Sequence, residues 1–258
     1  MVPLLFALAT QSKAHEFWLE PQNYQSDAGA TINIDIRNGE DFKGLTLSWF
    51  DPRIQAAFIN DGTLSDYKGL PGDLPGMKVT VGDGLTVVGY ASTLSRLTYD
   101  SWEKTLSFAS HKDFPWFTAR HADRGLPQDS VTEGYWRFSK TLISGPEATG
   151  ADAPMGFETE FVALTNPYAN ADQMTVRLLY QSEPRADAQV EMWEKSSEGV
   201  TRTLHRTDAG GTVTLPVKPG HAYMIDAVVL REPASAEAIE KGVMWESLWA
   251  NMTFAVPE

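Results

Sequence analysis

Ile32, Ile34 and Ile36 alternate with Asn33, Asp35 and Arg37, the period of a strand with one face in a core and the other in water. The same criterion predicts strands over 45–50, 54–59, 78–81, 85–91 and 96–99, with Asp51-Pro52 and Asn60-Asp61-Gly62 as turns. Gly82-Asp83-Gly84 separates two of these runs and predicts a hairpin. From 101 to 143 the alternation lapses into a mixture of aromatic and charged residues. There Asp113-Phe114-Pro115 reads as a helix start, Gly125 with Pro127 as its stop, and a second helix is predicted over about 130–142. Residues 146–156, rich in Gly, Ala, Pro and Asp, read as a linker. Strand patterns then return over 160–164, 174–180, 189–193, 202–206, 212–216, 222–230 and 245–256. The expectation is a mainly β chain of two β-sandwich, Ig-like domains. The first spans 15–145 and ends in a helical insert over about 101–143; the second spans 157–258.

Composition narrows the chemistry. With 258 residues, 42% hydrophobic and 21% charged, the chain can bury two cores and is not a disordered polymer. A net charge of −13 repels phosphate backbones and anionic membrane surfaces, so no nucleic-acid partner is expected. The absence of cysteine removes disulfides, thiolate metal sites and thiol nucleophiles, leaving histidine, carboxylates and a free amine as metal ligands. No serine stands in a Gly-x-Ser-x-Gly turn, and no catalytic constellation is expected.

The most specific chemistry lies near the start. An apolar run over 2–10 is followed by Gln11-Ser12-Lys13-Ala14, where Ser12 and Ala14 give the small-x-small pattern of a signal-peptidase site. Residues 1–14 therefore read as a signal peptide, an incomplete one because no Lys or Arg precedes the run. No later run approaches the roughly 20 apolar residues of a membrane span, so a soluble periplasmic product is expected. Cleavage after Ala14 makes His15 the first residue. Its α-amine and ring Nδ1 then close a chelate on a metal ion, and a second imidazole would complete a histidine brace. His111 and His121, both in the insert, are the candidates for that imidazole, although ten residues of helix would leave them about 80° apart. Such nitrogen donors suit copper, nickel or cobalt. His205 and His221 read as solvent-facing. Arg120, Arg124, Arg137 and Lys140 form a basic cluster on the two predicted helices, which either pairs with surface carboxylates or takes an anionic ligand. Trp245 and Trp249 share one strand face with Ser247 and read as packing.

Two resemblances extend this reading. Thr207, Asp208 and Gly211 followed by Pro219, Gly220 and Tyr223 resemble the carboxypeptidase-regulatory type of Ig-like domain, usually an accessory module. His15-Glu16-Phe17-Trp18-Leu19-Glu20-Pro21, Asn166-Pro167-Tyr168 and Trp245-Glu246-Ser247-Leu248-Trp249-Ala250 together resemble an exported bacterial family labelled nickel uptake substrate-specific component. The chain departs from that family's pattern at Ala227-Val228-Val229-Leu230, where a histidine is expected. The resemblance implies an exported, non-catalytic protein that binds a transition metal and works with a membrane transporter or other envelope partner. The alternatives are an envelope-interaction or carbohydrate-binding module without metal and, less favoured, a copper-dependent oxidative enzyme.

Overall fold

A computed structural model describes residues 15–169 and 172–258; the expected signal peptide lies outside the described residues. The first strands are β1 (Glu16–Pro21), β2 (Thr31–Glu40), β3 (Lys43–Leu47), β4 (Ile54–Asn60), β5 (Leu64–Asp66), β6 (Met77–Thr80), β7 (Leu85–Ser92) and β8 (Ser95–Thr98). Helices α1 (Trp102–His111) and α2 (Phe117–Asp123) precede the long strand β9 (Thr132–Ser144). Next come β10 (Thr159–Ala163), β11 (Gln173–Tyr180), β12 (Glu183–Pro184), β13 (Gln189–Ser196), β14 (Gly199–Arg206), β15 (Thr212–Pro216) and β16 (Ala222–Arg231). Helix α3 (Ala236–Glu240) and strand β17 (Trp245–Ala255) complete the chain.

The fold is mainly β, in packed layers. A nine-stranded central sheet runs β14-β13-β16-β17-β9-β7-β4-β5, with β8 also beside β9. One of its faces packs on a four-stranded sheet of β10, β11, β12 and β15, burying Phe138, Leu142, Phe161, Val176, Leu248 and Phe254. The opposite face carries a sheet of β1, β2, β3 and β6 at one end, around Ile34, Ile36, Val88 and Tyr90. The helices cover its other end, around Phe108, Phe117, Trp245 and Trp249. The join is the parallel pairing of β9 with β17, which sets Glu133 beside Trp245, Arg137 beside Trp249 and Ser139 beside Asn251.

This layering corrects several local expectations. Residues 130–142 do not form a helix; from Thr132 on they belong to β9, which is covered on both faces. A strand buried on both sides need not alternate apolar with polar residues, and its charged side chains find distant partners. Lys140, 1% exposed, pairs with Glu160 at 2.8 Å and Asp152 at 3.2 Å and donates to the Phe161 carbonyl at 3.1 Å. The segment expected as a linker is thus pinned to the core through Asp152, which also accepts from Ala163 N at 2.8 Å. Nor is there a hairpin at Gly82-Asp83-Gly84, because β6 pairs with β2 while β7 pairs with β4 and β9, so the chain crosses between layers there. Gly145 lies against this crossing so closely that a Cβ on it would fall 2.1 Å from the Gly82 carbonyl oxygen.

Asp113, expected to start a helix, has φ 64° and lies between the two helices. The expected helix begins later, as α2 after Trp116, with no side-chain cap, whereas α1, which the sequence pattern does not predict, is capped by Ser101, whose Oγ accepts from Lys104 N at 3.3 Å. Gly125, with φ 63°, follows the end of α2 as expected of a helix-terminating glycine. Asp208 Oδ1 accepts from Gly210 N at 2.8 Å and Thr212 N at 2.9 Å, which makes Thr207–Gly211 the tight turn its sequence predicts.

Candidate functional site

His15 immediately precedes β1, whose register sets Glu16 opposite Gly39 at the end of β2. The start of β1 anchors the strand: Phe17, Trp18 and Leu19 are buried, and Leu19 N donates to Ser139 Oγ at 3.2 Å. His15 itself is exposed, and its Nε2 lies 3.7 Å from Glu40 Oε1. With the carboxylate on the Nε2 side, Nδ1 is on the side of the ring nearer its own main chain.

The other two candidate ligands face other partners. His121 is 1% exposed; its Nδ1 accepts from Trp245 Nε1 at 3.0 Å and its Nε2 lies 3.1 Å from the Pro127 carbonyl oxygen. An acceptor at Nδ1 and a donor at Nε2 define one neutral tautomer and leave no lone pair for a metal. His111, at the end of α1, lies with Nε2 3.3 Å from Glu191 Oε2. The three histidines therefore have three different partners. Among the described residues no group of three or more His, Asp or Glu side chains is placed to share a cation.

Beneath β1 the sheet carries a row of polar side chains that only the register reveals. Glu191 on β13 pairs with Asp226 on β16, Asp226 with Asn251 on β17, and Asn251 with Ser139 on β9. Lys112, just past α1, reaches into this row and is itself buried. Its Nζ lies 2.6 Å from Glu191 Oε1, 3.5 Å from Asp226 Oδ1 and 4.6 Å from the centre of the Trp249 ring. Burial alone would raise the Glu191 pKa, but the His111 hydrogen bond and the Lys112 charge outweigh it and hold that carboxyl at about 2. Asp226 is shifted upward by burial despite Lys112. Glu16, 3% exposed, is pushed up to about 8, chiefly by burial, with Asp226 and Glu191 adding to the effect and Lys112 opposing it.

Beside this row lies a cavity of about 250 Å³ whose lining includes His15 and Trp249. Glu133 on β9 accepts from the Tyr99 hydroxyl and from Ser247 Oγ, and Ser247 Oγ in turn accepts from Trp249 Nε1 at 2.9 Å. Arg137, further along β9 on the same face, stacks its guanidinium 3.9 Å from the Trp249 ring centre and 5.0 Å from that of Tyr135. Its Nη1 is buried without a hydrogen-bond partner. Burial draws the Arg137 pKa down, against Tyr135, Asp226, Glu133 and Glu16, which hold it up.

The basic cluster expected on two helices is dispersed. Arg120 and Arg124 face Glu232 from α2, Lys140 enters the opposite core, and Arg137 alone reaches the cavity. Sequence reasoning passes over Tyr99, Glu133 and Lys112. The only local signal is the Trp245-Ser247-Trp249 face, which reads as packing and also lines this site through Trp249.

A family model matches residues 12–231 of the chain. The protein belongs to DUF4198, a domain of unknown function. Among curated proteins none matches this DUF4198 chain. Of solved structures, it is similar to the D0-D1 domain of Intimin at 14% identity, covering 93% of this chain and 98% of that one, with a TM-score of 0.18. It is also similar to a tetra-tandem repeat in the extending region of a large adhesion protein, at 10% identity and TM-score 0.20. That match covers 93% of the DUF4198 chain and 49% of the other.

Proposed function

We propose that this protein is an exported metal-binding component of transition-metal uptake or delivery, acting in the periplasm through a mature terminus at His15. The observation that carries the reading is the position of Glu40. Glu40 Oε1 stands 3.7 Å from Nε2, across the ring from Nδ1, so the nitrogen that would close a chelate with the α-amine is the one away from the carboxylate, the side on which outer carboxylates stand at metal-bound histidines. Processing after Ala14 would add the α-amine, so the donor set suits a two-nitrogen chelate of copper, nickel or cobalt. His121 does not complete a brace in this reading, because Trp245 and Pro127 engage both of its ring nitrogens, and no group of three or more His, Asp or Glu side chains among the described residues brings His111 to His15. A chelate with open positions suits handing a cation to a transporter or another envelope partner better than retaining it. The nickel-uptake resemblance of the terminal motifs supports the same reading.

The test is metal titration of protein beginning at His15, beside His15→Ala and a version bearing one additional N-terminal residue. Binding of copper, nickel or cobalt only by the first supports the proposal. Equal binding by all three, or none by the first, refutes it and leaves the envelope-interaction module as the better account. Intact mass of the exported protein tests the cleavage position independently.

A further inference from the structure

We propose that the cavity lined by His15 and Trp249 is a binding site for a small organic monocarboxylate, with Arg137 as its anion-recognising group. Arg137 is 9% exposed, and no ion pair to its guanidinium is found within 4.0 Å among the described residues, while Nη1 lacks any hydrogen-bond partner. A buried cation without a hydrogen-bonded partner is costly, and the cost falls when an anion enters. The guanidinium carbon lies 3.9 Å over the Trp249 ring centre and 5.0 Å over that of Tyr135, so an anion in the cavity would be taken by the N–H groups other than the occluded Nη1, as Arg takes a carboxylate through two parallel N–H bonds.

The lining sets the rest of the ligand. Arg96, Lys104 and Arg137 stand against two carboxylates, Asp100 and Glu133, so the cavity is locally cationic in a protein of net charge −13. Asp100 is held by Lys104, and Glu133 by Tyr99 and Ser247, so neither takes the place of Arg137's partner. Glu133 on the same wall disfavours a doubly charged anion such as phosphate or sulfate. Phe108, Leu97 and the Trp249 ring provide apolar surface for an organic body, and about 250 Å³ is near the lower end of small-molecule sites. Arg137 recognises the anion without a metal, and His15, which lines the same cavity, is kept metal-free in the test by EDTA.

The experiment is calorimetric titration of the intact protein, in the presence of EDTA, with acetate, lactate and benzoate, and with benzamide as the uncharged match to benzoate. Saturable binding of at least one carboxylate is expected, with benzamide binding at least tenfold more weakly than benzoate. Arg137→Gln should weaken the carboxylate at least tenfold, and Arg137→Lys, which keeps charge but loses the planar fork, should fall between. Equal binding of benzoate and benzamide overturns the proposal, as do unchanged affinity in folded Arg137→Gln, sulfate binding as tightly as any carboxylate, or no saturation by any of the three acids up to about 10 mM. Should Arg137→Gln fail to fold, the comparison of benzoate with benzamide in the unsubstituted protein still decides.

Discussion

Trp245 Nε1 donates to His121 Nδ1 at 3.0 Å, joining the last strand of the central sheet to α2 across 124 positions. The bond converts a candidate metal ligand into a structural group. His121→Phe would preserve much of the ring packing but leave the buried indole N–H unsatisfied, at a cost of about 1–3 kcal/mol. Urea unfolding should show that loss, while affinity for copper or nickel stays unchanged. A large loss of metal binding in the folded variant would instead return His121 to the metal site.

Lys112 is the counter-ion of the polar row under β1. Lys112→Met strands Asp226 and removes the nearest cation from Glu191, which keeps Arg202 at 3.3 Å. Breaking a buried pair from one side costs about 3–5 kcal/mol. Denaturant midpoints should fall accordingly. Adding Asp226→Asn to Lys112→Met should recover part of the loss, and the double-variant cycle measures how much.

Glu246 sets an acid limb for stability. It is buried, yet Arg231 Nε at 2.9 Å, Ala234 N at 2.8 Å and Trp136 Nε1 at 2.9 Å all donate to it. Burial would raise its pKa, but Arg231 and the neighbouring donors together bring it from 4.5 to about 2. A carboxyl depressed on folding contributes fully above its unfolded value and loses that contribution as pH falls from about 4.5 to about 2. With allowance for screening, the contribution is about 2 kcal/mol. Stability measured across that window should fall more steeply in the unsubstituted protein than in Glu246→Gln, which should be less stable at pH 7.

Glu40→Gln tests the orientation of His15. If the carboxylate fixes the proton on Nε2, the substitution should weaken copper binding by mature protein about tenfold. It should leave thermal stability nearly unchanged, because both side chains are solvent-exposed. Competition against a chromophoric chelator reads the affinity.

Many of the strand positions were legible from residues close together in sequence. The alternation of Ile32, Ile34 and Ile36, the Asp208 turn and the glycine stop at Gly125 all reflect forces acting over a few residues, and each has its counterpart in the structure. The same local reading placed His15 ahead of a motif, and the structure leaves its ring exposed beside Glu40.

What the sequence could not contain in any local window is the register of strands far apart. Residues 130–142 look helical because their charged residues lack period-two order, yet Thr132–Ser144 is a strand whose charged side chains meet Asp152, Glu160 and Ser247 from outside. The row from Glu191 to Ser139, the capture of His121 by Trp245 and the lone guanidinium of Arg137 likewise arise from pairing across the central sheet. Strand periodicity is a property of neighbours in sequence, whereas the partner of a buried charge is fixed only when distant strands settle into one register.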